Sequence, residues 1–504
     1  MVVKEIAHGH LCCGSAGTYN LDQPEIAASL GRQKAAAIVA TGARVVASGN
    51  IGCLTQLRVH LASANPPVVV RRSSVLDCVA PGGPVSALIG LQCHLCQSVF
   101  APEAVYACSK CLGPLEPIYD YTAIHLTRNE IASRPKNIWR YRELLPIMGE
   151  PQTGFHSGFT PLVRATRLAK RLGMRELYIK DDSVNHPTLS YKDRVVSVAA
   201  TRAKELGFNV LACASTGNLA NSVAAHAARL GMECCVFIPD NLEAGKRLGS
   251  AIFGPQILAI NGNYDDVNRL CSQVADRYGW GFVNINLRAY YAEGAKTMGF
   301  EIVEQLGWRY PQHIVSPVAG GTLLPRLVRG LRELKTIGLV DGELPKIHAA
   351  QAAGCAPVVS ALLAGEEYPE PVRPNTIAKS IAIGNPADGY QVIQTVRNSG
   401  GTGAAVPDEK IVEAIHLLAE TEGIFTEPAG GTTLAGAIDL IERGAIPRDE
   451  SVVVCITGNG YKTTEVVSGN LTEPVHLSRA FKDFEAWHES RGASAPGVST
   501  PVPA

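Results

Sequence analysis

The stretch "NHPTLSYKDRVVSVAATRAKELGF" holds one lysine, Lys192, where small and hydroxyl residues give way to a helical pattern. At a helix N-terminus an ammonium lies near the positive end of the dipole, and desolvation also disfavours its charge. The neutral amine is the form that makes an imine with a carbonyl. The plain alternative is a solvated first-turn lysine. Three other loops carry donors: "ASTGNLANS" with Ser215, Thr216 and Asn218, "VAGGTLL" with Gly320, Gly321 and Thr322, and "TGNG" with Thr457 and Asn459. Singly they read as helix caps and turns. A Gly-Gly pair before a helix also suits a phosphate, although its spacing matches neither the dinucleotide fingerprint nor a Walker A loop. "NINLRAYYAEGAKT" adds Arg288 and Lys296, two cations fit for a second anion or for a solvated face.

These loops need elements that bring them together. "ELYIKDD", "NVLACAS", "ECCVFIP", "HIVSPV" and "SVVVCI" read as strands, and "LANSVAAHAARLGM" and "LLPRLVRGLREL" as helices. From about residue 130 to 480 the alternation implies parallel βαβ units, whose ligands bind beyond the carboxyl ends of the strands. A lysine, an Asn turn, a Gly-Gly anion loop and a Ser/Thr turn, in that order at strand ends, describe a pyridoxal phosphate site. That cofactor needs an imine lysine, a phosphate cradle and a partner for its ring nitrogen.

A second constellation lies upstream. Cys93, Cys96, Cys108 and Cys111 form C-x2-C…C-x2-C, the thiolate set of a tetrahedral zinc site with no open position, hence structural. A clasp of unligated thiols is the alternative.

Lys+Arg and Asp+Glu each total 46, so the net charge is zero, which argues against nucleic acid as the main partner. No apolar run reaches membrane-spanning length, and "MVVKEIAHGHLCCGS" lacks a signal-peptide core. A cytoplasmic chain is expected, with its 14 cysteines reduced, in the core or on metal. The expected organisation is a fragment at 1–78, a Gly/Pro-rich linker at 79–90, a zinc-ribbon-like segment at 91–120, a catalytic domain at 121–485 and a disordered tail at 486–504.

From about 91 to 480 the chain resembles threonine synthase, through "GFTPLVRATRLA", "NHPTLSYKDRVVSVA", "CASTGNLANSVAAHAARLG", "NINLRAYYAEGAKTMGFEI", "SIAIGNPADGY", "EGIFTEPAGGTTLAGA" and "VCITGNGYKT". The resemblance implies an α/β pyridoxal-phosphate enzyme of fold type II, with two doubly wound α/β subdomains. It implies Lys192 as Schiff-base lysine and Asn218 on the phenolic oxygen. Gly320, Gly321 and Thr322 would take the phosphate, and Thr457 would face the ring nitrogen. The reaction implied is a carbon–oxygen lysis, O-phosphohomoserine and water giving threonine and phosphate, with Lys192 carrying protons at Cα and Cβ. Arg288, Lys296, Ser215 and Thr216 are the candidates for the substrate phosphate. The family often has serine where this chain has Ala319 or Gly320, phenylalanine at Tyr191 and threonine at Pro428. Many of its members also carry an N-terminal segment ending in "GPLE".

Residues 1–78 are different. "HLCCGSAGTYNLDQPEIAASLGRQK" and "VVASGNIGCLTQL" resemble the C-terminal end of the glycolate oxidase iron–sulfur subunit, within its CCG-type domain, with Cys12, Cys13 and Cys53 on its cysteine pattern. A vestigial or artefactual gene fusion is expected here rather than a working cluster module, because half a domain leaves an edge uncovered. The competing readings are a related enzyme acting on O-phosphoserine (cysteate synthase-like), a serine/threonine dehydratase, an electron-transfer subunit and a zinc-ribbon binding module. A homodimer is compatible with all of this.

Overall fold

The computed structural model describes residues 24–42, 45–48, 57, 59–62, 69–72, 86–240, 248–262, 264–470 and 474–490. Cys12, Cys13 and Cys53 lie outside these residues, as do 79–85 of the expected linker and 491–504 of the expected tail.

The N-terminal region shows helix α1 (Pro24–Ala40) and a parallel strand pair, β1 (Val45–Ser48) and β2 (Val69–Arg72). A small antiparallel sheet follows, in the order β4 (Val99–Phe100), β3 (Leu88–Cys93), β5 (Leu115–Tyr119). The strand at Leu88–Cys93 takes in residues expected to be linker, and the Ser86 hydroxyl accepts from the Leu88 amide. Residues 486–490, expected in the tail, end a helix that begins at Phe481.

The large region contains two sheets. One is parallel, in the order β10 (Gln256–Ile260), β9 (Glu233–Pro239), β8 (Val210–Ala214), β11 (Gly281–Phe282). The other has six strands: β14 (Gly403–Val406), β13 (Lys346–Ala352), β12 (His313–Pro317), β15 (Ser451–Ile456), β7 (Glu176–Asp181), β6 (Leu162–Arg164). Only β6 pairs antiparallel in it. Every residue of β8, β12 and β15 is buried, as expected of parallel strands covered on both faces. Such strands read as apolar runs, which is why each was visible in the sequence.

Six helices matter to the site: α2 (Lys192–Glu205), α3 (Asn218–Leu230), α4 (Lys296–Gln305), α5 (Leu323–Thr336), α6 (Gly389–Asn398) and α7 (Pro428–Glu442). A buried ion cluster seats α2 on β7. Arg194 pairs with Asp182 at 2.6 Å and also with Glu301, and Lys180 pairs with Glu301 at 2.7 Å, all four at 0% side-chain exposure. Gly294 lets the next segment come close: a Cβ there would lie 2.5 Å from the Arg194 carbonyl. The close approach brings Tyr291 over the start of α2.

Candidate active site and cysteine centre

Lys192 is the first residue of α2, and Tyr191 in the N-cap position gives no side-chain cap. The amine donates to the Tyr291 hydroxyl at 2.9 Å and to the Tyr191 hydroxyl at 3.1 Å. Burial pushes this amine towards its neutral form, but the two phenol oxygens pull harder and the net direction is up. The neutral amine expected from helix dipole and desolvation is thus reversed in this arrangement. Burial pushes the Tyr291 phenol up to about 12, so it stays protonated at neutral pH. Upstream, Leu189 takes left-handed backbone at φ 58°. Its amide donates to Asn185 and its carbonyl accepts from Asn459, which offsets a strain of about 1–2 kcal/mol.

Thr457 follows β15, the neighbour of β7, and its carbonyl accepts from the Tyr191 amide at 2.9 Å. The threonine is 4% exposed. The Gly-Gly loop follows β12, the other neighbour of β15. Gly321 has φ 97°, and a Cβ on it would lie 2.9 Å from the Asp388 Cβ, so the turn needs glycine. Thr322 precedes α5 without capping it; its hydroxyl donates to Asp388 at 3.0 Å. Arg288 reaches the same carboxylate at 2.6 Å.

Asn218 comes from the other sheet, as the first residue of α3. Capping was the plain reading of this turn, yet α3 has no side-chain cap. The Asn218 amide is spent elsewhere: its nitrogen donates to both oxygens of Glu427 at 3.1 Å, and its oxygen accepts from Lys462 at 2.8 Å. Ser215 and Thr216 are half-buried in the same turn, and the Ser215 hydroxyl accepts from the Gly217 amide at 3.4 Å.

Lys296 does not join them. It is 0% exposed, with its ammonium on Glu293 at 2.7 Å, Glu333 at 2.9 Å and the Leu144 carbonyl at 2.8 Å. It is removed from the substrate-phosphate set, because two carboxylates and a carbonyl already fill its donors. Sequence reasoning missed Tyr291, Asp388, Glu427 and Lys462, all of which lie inside the quoted motifs.

The model for the "Pyridoxal-phosphate dependent enzyme" family matches residues 154–458. A threonine synthase from Methanosarcina acetivorans is 39% identical over 391 residues, 76% of this chain and 95% of that protein. One from Methanocaldococcus jannaschii is 38% identical over 392 residues, 77% and 96%. The chain belongs to the threonine synthase family of pyridoxal-phosphate enzymes. Its fold is that of type II in this class. Maize serine racemase, 21% identical, aligns with TM-score 0.53 over 65% of this chain and 93% of that one. An L-serine ammonia-lyase from Rhizomucor miehei, 22% identical, aligns with TM-score 0.53 over 63% and 99%. The "Cysteine-rich domain" model matches residues 2–58.

The residues present fit the cofactor. The Ser190 hydroxyl, two residues before Lys192, is buried without a partner. A Cβ on Gly320 would meet nothing within 4 Å, so the backbone there faces open space wide enough for an anion at the uncapped start of α5.

The four cysteines also converge. Their sulfurs all lie within 4.8 Å of one another, with Cys93 to Cys111 at 3.4 Å and Cys96 to Cys108 at 3.5 Å. Four thiolates at ~2.3 Å from zinc stand about 3.8 Å apart, so the set has the size of a tetrahedral site. Cys93 and Cys108 are buried while Cys96 and Cys111 are exposed, and all the described cysteines are free thiols. No helix among the described residues is long and apolar enough to cross a membrane.

Proposed function

We propose that this protein converts O-phosphohomoserine and water into threonine and phosphate. The observation that carries the reading is a lysine at the start of a helix, set among strand-end loops for a phosphate and a pyridine ring, in a chain that covers 95% of a threonine synthase. Gly320, Gly321 and Thr322 would hold the cofactor phosphate, Asn218 the ring hydroxyl oxygen, Thr457 the ring nitrogen and Lys192 the carbonyl carbon. When bound, pyridoxal phosphate supplies a carbonyl for amines and a ring that withdraws charge from the adjacent carbon.

The chain's own residues do the rest. Once released, Lys192 moves protons at the substrate's Cα and Cβ. As an ammonium on the Tyr291 and Tyr191 hydroxyls it is the donor, and as the amine it is the acceptor. Tyr191 adds a hydroxyl to this pair where the family often has phenylalanine. Thr457 gives the ring nitrogen a neutral partner. Arg288, Ser215 and Thr216 remain candidates for the leaving phosphate. Arg288 keeps donors free beyond the one on Asp388, since a guanidinium has five.

The cysteine set would hold a structural zinc. The cytoplasmic setting rests on the free thiols, and a homodimer stays compatible. Residues 1–78 are proposed as a separate cysteine-rich unit ahead of the ribbon-like segment, the catalytic domain and the tail. The test is incubation with O-phosphohomoserine while phosphate and threonine are both measured. Equal amounts of each are expected. Phosphate without threonine, or turnover of O-phosphoserine instead, would overturn the reading.

A further inference from the structure

Asn218 is flanked by two groups of opposite hydrogen-bonding character. A lysine ammonium only donates and an ionised carboxylate only accepts. With Lys462 at 2.8 Å on one end and Glu427 at 3.1 Å on the other, the amide has one satisfied orientation. Flipping it would set N–H against ammonium and carbonyl against carboxylate. Both flanking residues are themselves held. Glu427 is 3% exposed, occupies the N-cap position of α7 without a side-chain cap, and donates its amide to the Gly458 carbonyl. Lys462 ends a short turn (Gly460–Lys462) whose Tyr461 amide donates to the Asn459 side chain. Asn459 in turn donates to the Ser183 carbonyl at 3.0 Å.

We propose that Lys462 and Glu427 are positioning residues that lock the Asn218 amide with its nitrogen turned to the cofactor's ring oxygen. Neither needs to touch the reacting atoms. An amide nitrogen has two N–H donors. One is shared between the two Glu427 oxygens, each at 3.1 Å, and the other is left for an oxygen that carries negative charge. A flipped amide would face that oxygen with its carbonyl. Burial leaves the Glu427 carboxyl raised against the pull of Asn218 and Lys462, and leaves the Lys462 ammonium lowered against the pull of Glu427 and Asp193. Each charge opposes the shift that burial imposes on the other. The inference rests on the reading that Asn218 meets the ring oxygen.

The test uses holoenzyme. The visible absorption band of bound pyridoxal phosphate reports hydrogen bonding at its ring oxygen, and equilibrium dialysis gives its dissociation constant. Asn218→Ala is the reference. Lys462→Met should shift the band in the same direction and weaken cofactor binding by about tenfold, the size of one charge-assisted hydrogen bond. Glu427→Gln, whose amide can donate or accept, should give a smaller shift. Lys462→Arg keeps a donor-only cation and should restore the band. Thermal melts of each variant separate loss of fold from loss of orientation, and should Lys462→Met fail to fold, Glu427→Gln and Lys462→Arg carry the comparison. A native band and affinity in Lys462→Met, beside a shifted Asn218→Ala, would overturn the positioning role alone. So would a raised KM with the band unmoved, which would make Lys462 a substrate ligand. A native band in Asn218→Ala would overturn the ring-oxygen contact as well.

Discussion

Lys192 and Lys296 are the same residue type, each at the first position of a helix, and each was a candidate for chemistry. Their partners separate them. Lys296 is closed off by two carboxylates and a carbonyl at 0% exposure. Lys192 has two neutral hydroxyls, which hold the amine without neutralising it. A buried lysine saturated by anions is part of the frame; one left with weak partners is free to exchange them. Glu427 and Lys462 fall between, one buried and the other half-buried, joined through an amide.

Substitutions can break that contrast. Lys192→Ala should cost the most, more than about 10⁴-fold in threonine formation, since proton transfer alone contributes 10²–10⁴ and attachment of the cofactor is lost too. Borohydride should then fail to fix the cofactor to the chain. Lys296→Met should act on stability instead: Glu293 and Glu333 lose one buried counter-ion and keep Arg326 and Arg329, so the cost should lie near the lower end of about 3–5 kcal/mol, read as a lower melting temperature. If Lys296→Met melted normally and lost turnover, the two lysines would have to exchange roles. Arg288→Ala is expected to raise KM for O-phosphohomoserine by about tenfold, from the loss of one charged hydrogen bond. A change in kcat alone would remove it from the substrate site.

A smaller, distributed effect comes from the far end of the six-stranded sheet. His348 is 1% exposed and shares a hydrogen bond of 2.9 Å with His313, which is 2.5 Å from Glu450. Burial pushes His348 down to about 3 and His313 in the same direction. The unfolded chain takes up these protons near pH 6.5 and the folded chain resists them. The stabilisation is therefore complete above that pH. It is lost as pH falls below that value, towards 3 in the case of His348, at up to about 1.4 kcal/mol per unit for each histidine. Urea midpoints between pH 7 and 4 should show the slope, and His348→Gln should flatten it.

The frame of the candidate site was legible because parallel strands announce themselves as short apolar runs and each candidate loop follows one. Strands β7, β8, β9, β12 and β15 fall within a residue or two of their expected places. The order of Lys192, Asn218, Gly320 and Thr457 needed no distances. What stayed hidden was saturation. Glu333 lies 37 residues beyond Lys296, and Glu427 lies 209 beyond Asn218. Only Glu293, three residues before Lys296, offered a local sign that this lysine was already paired. Gly/Pro content marks a linker but not where its neighbouring strand begins, which is why the strand Leu88–Cys93 starts inside residues read as linker.

Strand β5 follows directly on the cysteine pairs. From it Glu116 reaches Arg326 at 2.6 Å and Arg329 at 3.4 Å, and the Pro117 carbonyl accepts from Arg329 at 2.5 Å. Both arginines lie on α5, the helix that starts at the phosphate loop. The cysteine segment is thus bolted to the helix that follows the Gly-Gly loop. A metal on the four cysteines would settle β5, and so steady the helix that follows the Gly-Gly loop before pyridoxal phosphate binds. Cells starved of zinc but rich in vitamin B6 should yield pale protein, and zinc supplied during synthesis should return its colour.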